Sequence, residues 1–333
     1  MIAEPTFALT FETAVGYLAC RGFDACSLRV SELSGGVSNI VLLVEHGASG
    51  ERFVLKQALP QLRVQQEWFS DIRRIFIESA GLRAVAPMLP EGAVPTVLFE
   101  DRPNYLFAMT AAEAGAEAWK SRLLAGECDT RIAEAAASML ARMVRQSWQS
   151  ATMAKSFANL SIFEELRLDP YYGRLADLYP ELSQYLEELI ATCRTRRVSL
   201  VHGDFSPKNI LVRDGRAMLI DFEVLHYGDP SFDAAFLLNH LLLKTFAGVE
   251  GAPRLAIAFW NALMDELPHA PWFTAGTIAH LGGLLLARMD GKSPAEYITD
   301  ANRKDEIRAF ARDLILRPPA TVEAVWERYG ATH

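Results

Sequence analysis

The stretch from Val201 to Glu223 does most to limit what this chain can fold into. It runs from His202-Gly203-Asp204 through a loop containing Pro207 to Asn209. An apolar run, Ile210-Leu211-Val212, then leads to Asp214-Gly215, and a second apolar run ends in Asp221-Phe222-Glu223. Asp-Gly between two apolar runs is the favoured centre of a type I′ β-hairpin, because both turn positions need a positive φ. Folding the chain about that turn sets Asn209 opposite Ile220 and Lys208 opposite Asp221. Directly opposed side chains sit roughly 5 Å apart and diagonal ones roughly 7–8 Å. Asn209 and Asp221 therefore become neighbours at the open end of the hairpin. Glu223 lies on the side of Asp221 if the chain stays extended.

An amide oxygen and a carboxylate at that range can share one hard cation, with Glu223 as a third oxygen ligand. Asp204 precedes Asn209 in a loop that Pro207 stiffens and that Gly203 lets pass through positive φ. A carboxylate held rigidly beside a metal pair suits phosphoryl transfer. Asp204 would accept the hydroxyl proton, while Asn209 and Asp221 would hold Mg2+ on the phosphates. The order Asp, four residues, Asn, then Asp about a dozen residues later follows the catalytic-loop logic of protein kinases.

The rest of the chain has to supply a nucleotide site. Its 333 residues suggest about two domains. A β-rich first part is expected over 1–112 and a mainly helical second part over 113–333. The first part shows an opening amphipathic helix on Phe11, Val15 and Leu18. Strand-like runs follow at 27–33, 39–46 and 52–57, then a helical pattern over 63–85, then strands at 96–100 and 105–109. The second part reads as helices at 130–148, 181–194, 233–243, 252–264, 274–289 and 302–316, interrupted by the hairpin region. The fold class is α+β, with a small antiparallel sheet and one long helix in the first lobe. A cleft between two such lobes is where ligands commonly bind.

Lys56 is one charge inside the apolar strand Phe53-Val54-Leu55-Lys56-Gln57, placed to reach nucleotide phosphates. Glu78 shares an apolar helix face with Ile75 and Leu82. An acid there is costly unless paired, and Lys56 is the partner expected. Ser34-Gly35-Gly36-Val37-Ser38 joins two strands, and Gly35, Gly36 and Ser38 could cover phosphates with backbone N–H groups. No GxxxxGK[ST] sequence occurs, which excludes a P-loop ATPase.

His202-Gly203-Asp204 through Asn209, followed by Ile220-Asp221-Phe222-Glu223, resembles the aminoglycoside phosphotransferase and choline kinase family of small-molecule kinases. The resemblance covers roughly residues 30–290. Leu55 to Pro60, Arg63-Val64, Trp119-Lys120, Leu123 to Gly126 and Leu168 to Tyr171 are similar to the methylthioribose kinase branch. The chain differs from that branch at Asn209, at Phe222 and in carrying Ala287-Arg288 where that branch tends to have a pair of arginines late in the chain. The resemblance implies a two-lobed protein-kinase-like fold using ATP and Mg2+. It implies Asp204 as the catalytic base and Asn209, Asp221 and Glu223 at the metal. Lys56 would contact ATP, oriented by Glu78. The strand ending at Met109, with Thr110 to Glu113 and so Ala111, would form the hinge that hydrogen-bonds adenine, and Arg288 would contact substrate or product phosphate. The acceptor expected is a methylthioribose-like sugar, with an aminoglycoside or a choline-like amino alcohol as alternatives. Other readings are a non-catalytic nucleotide-binding member of the fold and a metal-dependent hydrolase.

His202 is read as a structural histidine and Asp233 as a brace for the loop. Trp148, Trp260 and Trp272 are read as packing residues. Cys20, Cys26, Cys128 and Cys193 show no framework spacing, as in a reducing compartment. No signal peptide is read at the N-terminus, and the apolar runs are far short of a ~20-residue span. A cytoplasmic protein with a small-molecule partner is expected. The net charge of −8 argues against a nucleic-acid face. No membrane partner is expected, and a homodimer stays open.

Overall fold

A computed structural model describes residues 7–33, 38–47, 49–63, 68–267 and 270–332. The chain divides into two compact units, one ending at Ala114 and the other beginning at Gly115.

The first unit opens with helix α1 (Phe11–Ala19), followed by strands β1 (Leu28–Glu32), β2 (Asn39–His46) and β3 (Arg52–Ala58). Helix α2 (Arg74–Val85) and strands β4 (Val97–Asp101) and β5 (Leu106–Thr110) complete it. The five strands form one antiparallel sheet in the order β1-β2-β3-β5-β4. β3 is central, so every residue from Phe53 to Ala58 is buried. Its two faces do different work. Phe53 and Leu55 join Leu42, Val44, Leu106 and Ala108 in a core that Leu9, Ala14 and Leu18 cover. Lys56 alternates onto the opposite face.

Two expectations need correction here. The buried stripe of α1 is Ala14 and Leu18, while Phe11 is 57% exposed. The helix expected over 63–85 begins only at Arg74. Asp71 causes the late start: its side chain accepts a 2.8 Å bond from the Arg73 amide, a local turn that competes with helix. Gln61 and Phe69 instead form an isolated β-bridge.

The second unit begins with β6 (Glu117–Ala118), α3 (Trp119–Leu124) and α4 (Thr130–Ser147). Next come α5 (Ala151–Ser156), α6 (Ser161–Phe163), a π-helical stretch over Glu164–Gly173, α7 (Arg174–Leu178) and α8 (Ser183–Thr195). Four short strands follow: β7 (Ser199–Val201), β8 (Ile210–Arg213), β9 (Arg216–Leu219) and β10 (His226–Gly228). Helices α9 (Ser231–Phe246), α10 (Ala252–Glu266), α11 (Pro271–Asp290), α12 (Ala301–Leu316) and α13 (Glu323–Thr332) end the chain. α9 packs against both α10 and α11. It is buried on nearly all sides, as its apolar sequence requires. Trp260 is buried, but Trp148 is 38% exposed and stacks on Trp272. Among the described residues no helix is long and apolar enough to cross a membrane.

Candidate active site

The hairpin forms in the register the sequence dictates. Asp214 and Gly215 have φ of 48° and 75°, the two positive values of a type I′ turn. Arg213 pairs with Arg216 and Ile210 with Leu219. One step further, the Ile220 amide donates to the Asn209 carbonyl at 2.9 Å. Asn209 is buried, and its Nδ2 donates to the Asp204 carbonyl at 3.0 Å. That bond leaves its Oδ1 without a hydrogen bond among the described residues, as a cation ligand should be.

Beyond Ile220 the chain does not stay extended. Asp221 takes φ of 70°, and the Leu225 amide closes a turn onto the Phe222 carbonyl. The turn still serves the expected grouping, because Asp221 and Glu223 bring carboxylate oxygens within 4.8 Å of each other. Two carboxylates and an amide oxygen are the hard donors that Mg2+ prefers. These residues fit the ion chemically.

The loop before the hairpin is held through its backbone. Gly203 has φ of +77°, and a Cβ there would meet Val224 at 2.9 Å. Only glycine fits that turn without strain. Asp233, in the first turn of α9, accepts from the amides of His202 at 2.6 Å and Gly203 at 2.9 Å. Burial nevertheless pushes its carboxyl up to about 7, against the pull of those two donors. His202 Nδ1 accepts from the Asp204 amide at 3.2 Å, so Nε2 carries the proton and faces the Ile220 carbonyl at 3.1 Å. Burial lowers this imidazole to about 4, which keeps it neutral at neutral pH. His202 thus ties the loop to the segment that leaves β9 and leads to Asp221.

Asp204 is buried beside two cations. Arg167 Nη2 lies 2.9 Å and Lys208 Nζ 3.4 Å from Asp204 Oδ2. Burial alone would raise the Asp204 pKa, but Arg167 and then Lys208 outweigh it and hold the carboxyl below its ordinary value. Asp204 is therefore a carboxylate at neutral pH, ready to accept a proton. Arg167 also donates from Nε to the Gly203 carbonyl at 2.7 Å and from Nη1 to the Leu166 carbonyl at 2.6 Å.

In the first unit, Lys56 Nζ lies 2.8 Å from Glu78 Oε1 and 2.7 Å from Oε2. Both side chains are buried, and Ile75 and Leu82 flank Glu78 in the core. Gly35 and Gly36 lie outside the described residues. Ser38 is buried, and its carbonyl accepts from the Leu59 amide and from Arg74. Met109 pairs with Val54 and Val97. The Ala111 amide donates to the Arg52 carbonyl at 3.2 Å, so that N–H is already committed to the sheet edge.

The chain matches the phosphotransferase enzyme family over residues 29–273.

The chain belongs to that family.

It is 29% identical over 272 residues to the methylthioribose kinase of Yersinia enterocolitica, covering 73% of this chain and 67% of that protein. The chain spans about two thirds of the length of its first curated relatives. Among solved structures, it resembles an amicoumacin kinase in complex with AMP-PNP and Ca2+, with a TM-score of 0.54. That likeness covers 94% of this chain and 96% of the other at 13% identity. The gentamicin complex of APH(2'')-IIa gives a TM-score of 0.52 at 15% identity, covering 95% and 98%. These likenesses show the fold: a protein-kinase-like one with an antiparallel-sheet lobe and a helical lobe. The chain is an ATP-dependent small-molecule kinase of this phosphotransferase family.

Arg167 is the residue of this phosphotransferase that sequence reading missed. It sits in the π-helical stretch, three residues before Pro170. Pro170 has no N–H to give, which suits a locally widened helix. The available signal was one arginine set between Leu166 and Leu168, where a buried cation needs an anion. Arg288 is buried in α11, with Nη1 donating to Ser293 Oγ at 2.9 Å.

Proposed function

We propose that Asp204 accepts the proton of the attacking hydroxyl while the γ-phosphoryl group of ATP passes to that oxygen. The observation that carries this reading is the Asp204 carboxylate, kept ionised by Arg167 and Lys208 in a loop pinned at His202 and Gly203. Fixed positioning and charge neutralisation supply most of the catalysis in this reaction class. Lys56, oriented by Glu78, contacts the nucleotide phosphates. Gly35, Gly36 and Ser38 cover them with backbone N–H groups. The segment from Met109 to Ala111 meets adenine, Ala111 through its carbonyl because its amide is engaged. Asn209, Asp221 and Glu223 hold Mg2+, which when bound would neutralise phosphate charge.

The acceptor is a small hydroxylated molecule of sugar-like form, a reading that the methylthioribose kinases among its relatives support. An aminoglycoside or choline-like amino alcohol is the alternative. The reaction belongs in the cytoplasm, where ATP is available and the four free thiols stay reduced. The test is acceptor-dependent ADP release with Mg-ATP. Asp204→Ala is expected to lower kcat by about 10²–10⁴-fold, the usual contribution of a positioned base. An unchanged rate would refute the base, and Asp221→Ala with unchanged Mg2+ dependence would refute the metal ligand.

A further inference from the structure

Helix α9 buries a lysine completely. Lys244 is 0% exposed and lies among Leu241, Leu242, Leu243 and Phe246 in sequence. It forms no ion pair with a carboxylate among the described residues; its polar contact is Nζ to Tyr297 Oη at 3.2 Å. Its Nζ lies 4.7 Å from the Tyr297 ring centroid. Lys120 Nζ approaches the same ring at 5.6 Å and pairs with Glu296. Arg288, 8% exposed, has a buried Nε with no hydrogen bond and no carboxylate partner among the described residues.

Burying an unpaired cation is costly, and folded proteins normally pair it. Here two buried cations have no carboxylate in contact among the described residues, and the nearby Glu296 is engaged by the third, Lys120. Their mutual effect is visible at Lys244, which burial, then Lys120 and Arg288, lower to about 7 against the pull of Glu296, the carboxylate already paired with Lys120. Tyr297 Oη accepts from Lys244, so its own O–H has no acceptor among the described residues and is free to donate. The cluster also adjoins the catalytic loop. The Lys120 amide donates to the Pro207 carbonyl at 2.9 Å. After burial, the charges of Arg288, Lys244, Lys208 and Lys120 all lower His240, so the loop's Lys208 shares this neighbourhood.

We propose that Arg288, the Tyr297 hydroxyl and Lys120, with Lys244 behind them as a positioning residue, form a subsite for a negatively charged group on the phosphoryl acceptor. The acceptor class is then a hydroxylated carboxylate or phosphate ester. This rests on the kinase reading above and refines its acceptor.

The test uses the full chain with Mg-ATP and three acceptor sets. The anionic set is glycerate, ribonate and ribose 5-phosphate; the neutral set is ribose and methylthioribose; the cationic set is choline and kanamycin. Turnover is expected to favour an anionic acceptor by at least about tenfold in kcat/KM. Within that set, the two acids against the phosphate ester separate carboxylate from phosphate. Lys244→Met and Tyr297→Phe are each expected to raise KM for the anionic acceptor by roughly 10- to 100-fold, with kcat nearly unmoved. A neutral or cationic acceptor ahead by the same margin would overturn the proposal. So would an unmoved KM, or an equal fall in kcat for every acceptor, which would place the cluster on the transferred phosphoryl group. Melting keeps the test decisive. Lys244→Met should melt no lower than wild type, because an unpaired buried cation is removed; a lower Tm marks a structural lysine and sinks the idea. If no acceptor of any charge releases ADP, the kinase reading fails instead. The subsite is then judged by thermal shift with ribose 5-phosphate and glycerate. A rise in wild type that Lys244→Met abolishes supports it, and no rise overturns it.

Discussion

Replacing Arg167 by methionine isolates what the loop's internal charge balance does. Arg167 and Asp204 are both about 90% buried and 2.9 Å apart, so the change strips a buried carboxylate of its nearest cation. Breaking such a pair on one side costs about 3–5 kcal/mol of stability. Lys208 remains 3.4 Å away and half exposed, which places the expected loss near the lower end. The chemical effect has a definite sign. Arg167 is the largest of the influences that lower the Asp204 pKa, and burial then acts with less opposition. Asp204 therefore takes up a proton at higher pH, and with Asp204 as the proposed base the acid limb of the kcat/KM profile moves up. Losing the 2.7 Å bond from Nε to the Gly203 carbonyl also loosens the loop. A charge-assisted bond of this kind is worth about 1.5–3 kcal/mol, or roughly 10- to 150-fold in rate. The assay is acceptor-dependent ADP release from about pH 5 to 9, with urea unfolding on the same samples. Arg167→Lys keeps the charge but not the fork, so it should restore the acid limb more than the rate. An acid limb that stays at the wild-type position in Arg167→Met, in a folded variant, would refute the electrostatic role.

Glu78→Gln strips Lys56 of its carboxylate and should destabilise by about 3–5 kcal/mol in urea unfolding, whereas Lys56→Met with Glu78→Leu should recover most of that loss and stay inactive. A double variant less stable than the single one would show that packing, not charge, sets the effect. Acid should unfold the protein early, because His202, His226 and His280 bind protons at about 4 when folded against 6.5 when unfolded. Their shared stabilisation is present above pH 6.5 and is lost as pH falls toward 4. Asp233, raised to about 7, acts in the opposite sense over this range and cancels about one proton. His240, which burial lowers further still, adds a fourth histidine of the same sense. The net of about three protons gives a slope of about 4 kcal/mol per pH unit near pH 5. Equal denaturant midpoints at pH 6.5 and pH 5 would contradict it.

Local rules carried much of this fold. The hairpin register followed from Asp214-Gly215 alone, since a type I′ turn fixes which residues face each other. Strand β2 has the bounds its alternation implies, and Glu78 revealed its partner because a lone acid on an apolar face demands one. Failures came where a local side-chain turn or a distant contact overrides the periodic pattern. The apolar period over 63–85 is continuous, yet Asp71 makes its own turn and the helix starts at Arg74. The extended geometry assumed beyond Ile220 gave way to the positive φ of Asp221. Arg167 could not be assigned, because its anion lies in a loop whose approach only the tertiary fold brings about. Lys244 was hidden inside a leucine run that reads as core.

The buried charges of this kinase follow two different rules, and the difference bears on what it phosphorylates. Lys56 with Glu78, and Arg167 with Asp204, are balanced within the chain, so their geometry is set before any ligand arrives. Lys244 and Arg288 are unbalanced among the described residues, a state that a ligand can complete. An anionic acceptor must come close to Asp204, and two like charges about 5 Å apart repel by about 3 kcal/mol at an effective dielectric constant near 20. Arg167 and Lys208 already offset Asp204, which removes much of that repulsion but offers no attraction. The attraction has to come from other cations in the same unit. Lys120, anchored by its amide to Pro207 in the Asp204 loop, with Arg288 and Lys244 around Tyr297, is where the chain places them. A cationic acceptor would meet the reverse field from Arg288 and Lys244, because Lys120 is already paired with Glu296, and a neutral one would leave the two buried cations without a contacting anion.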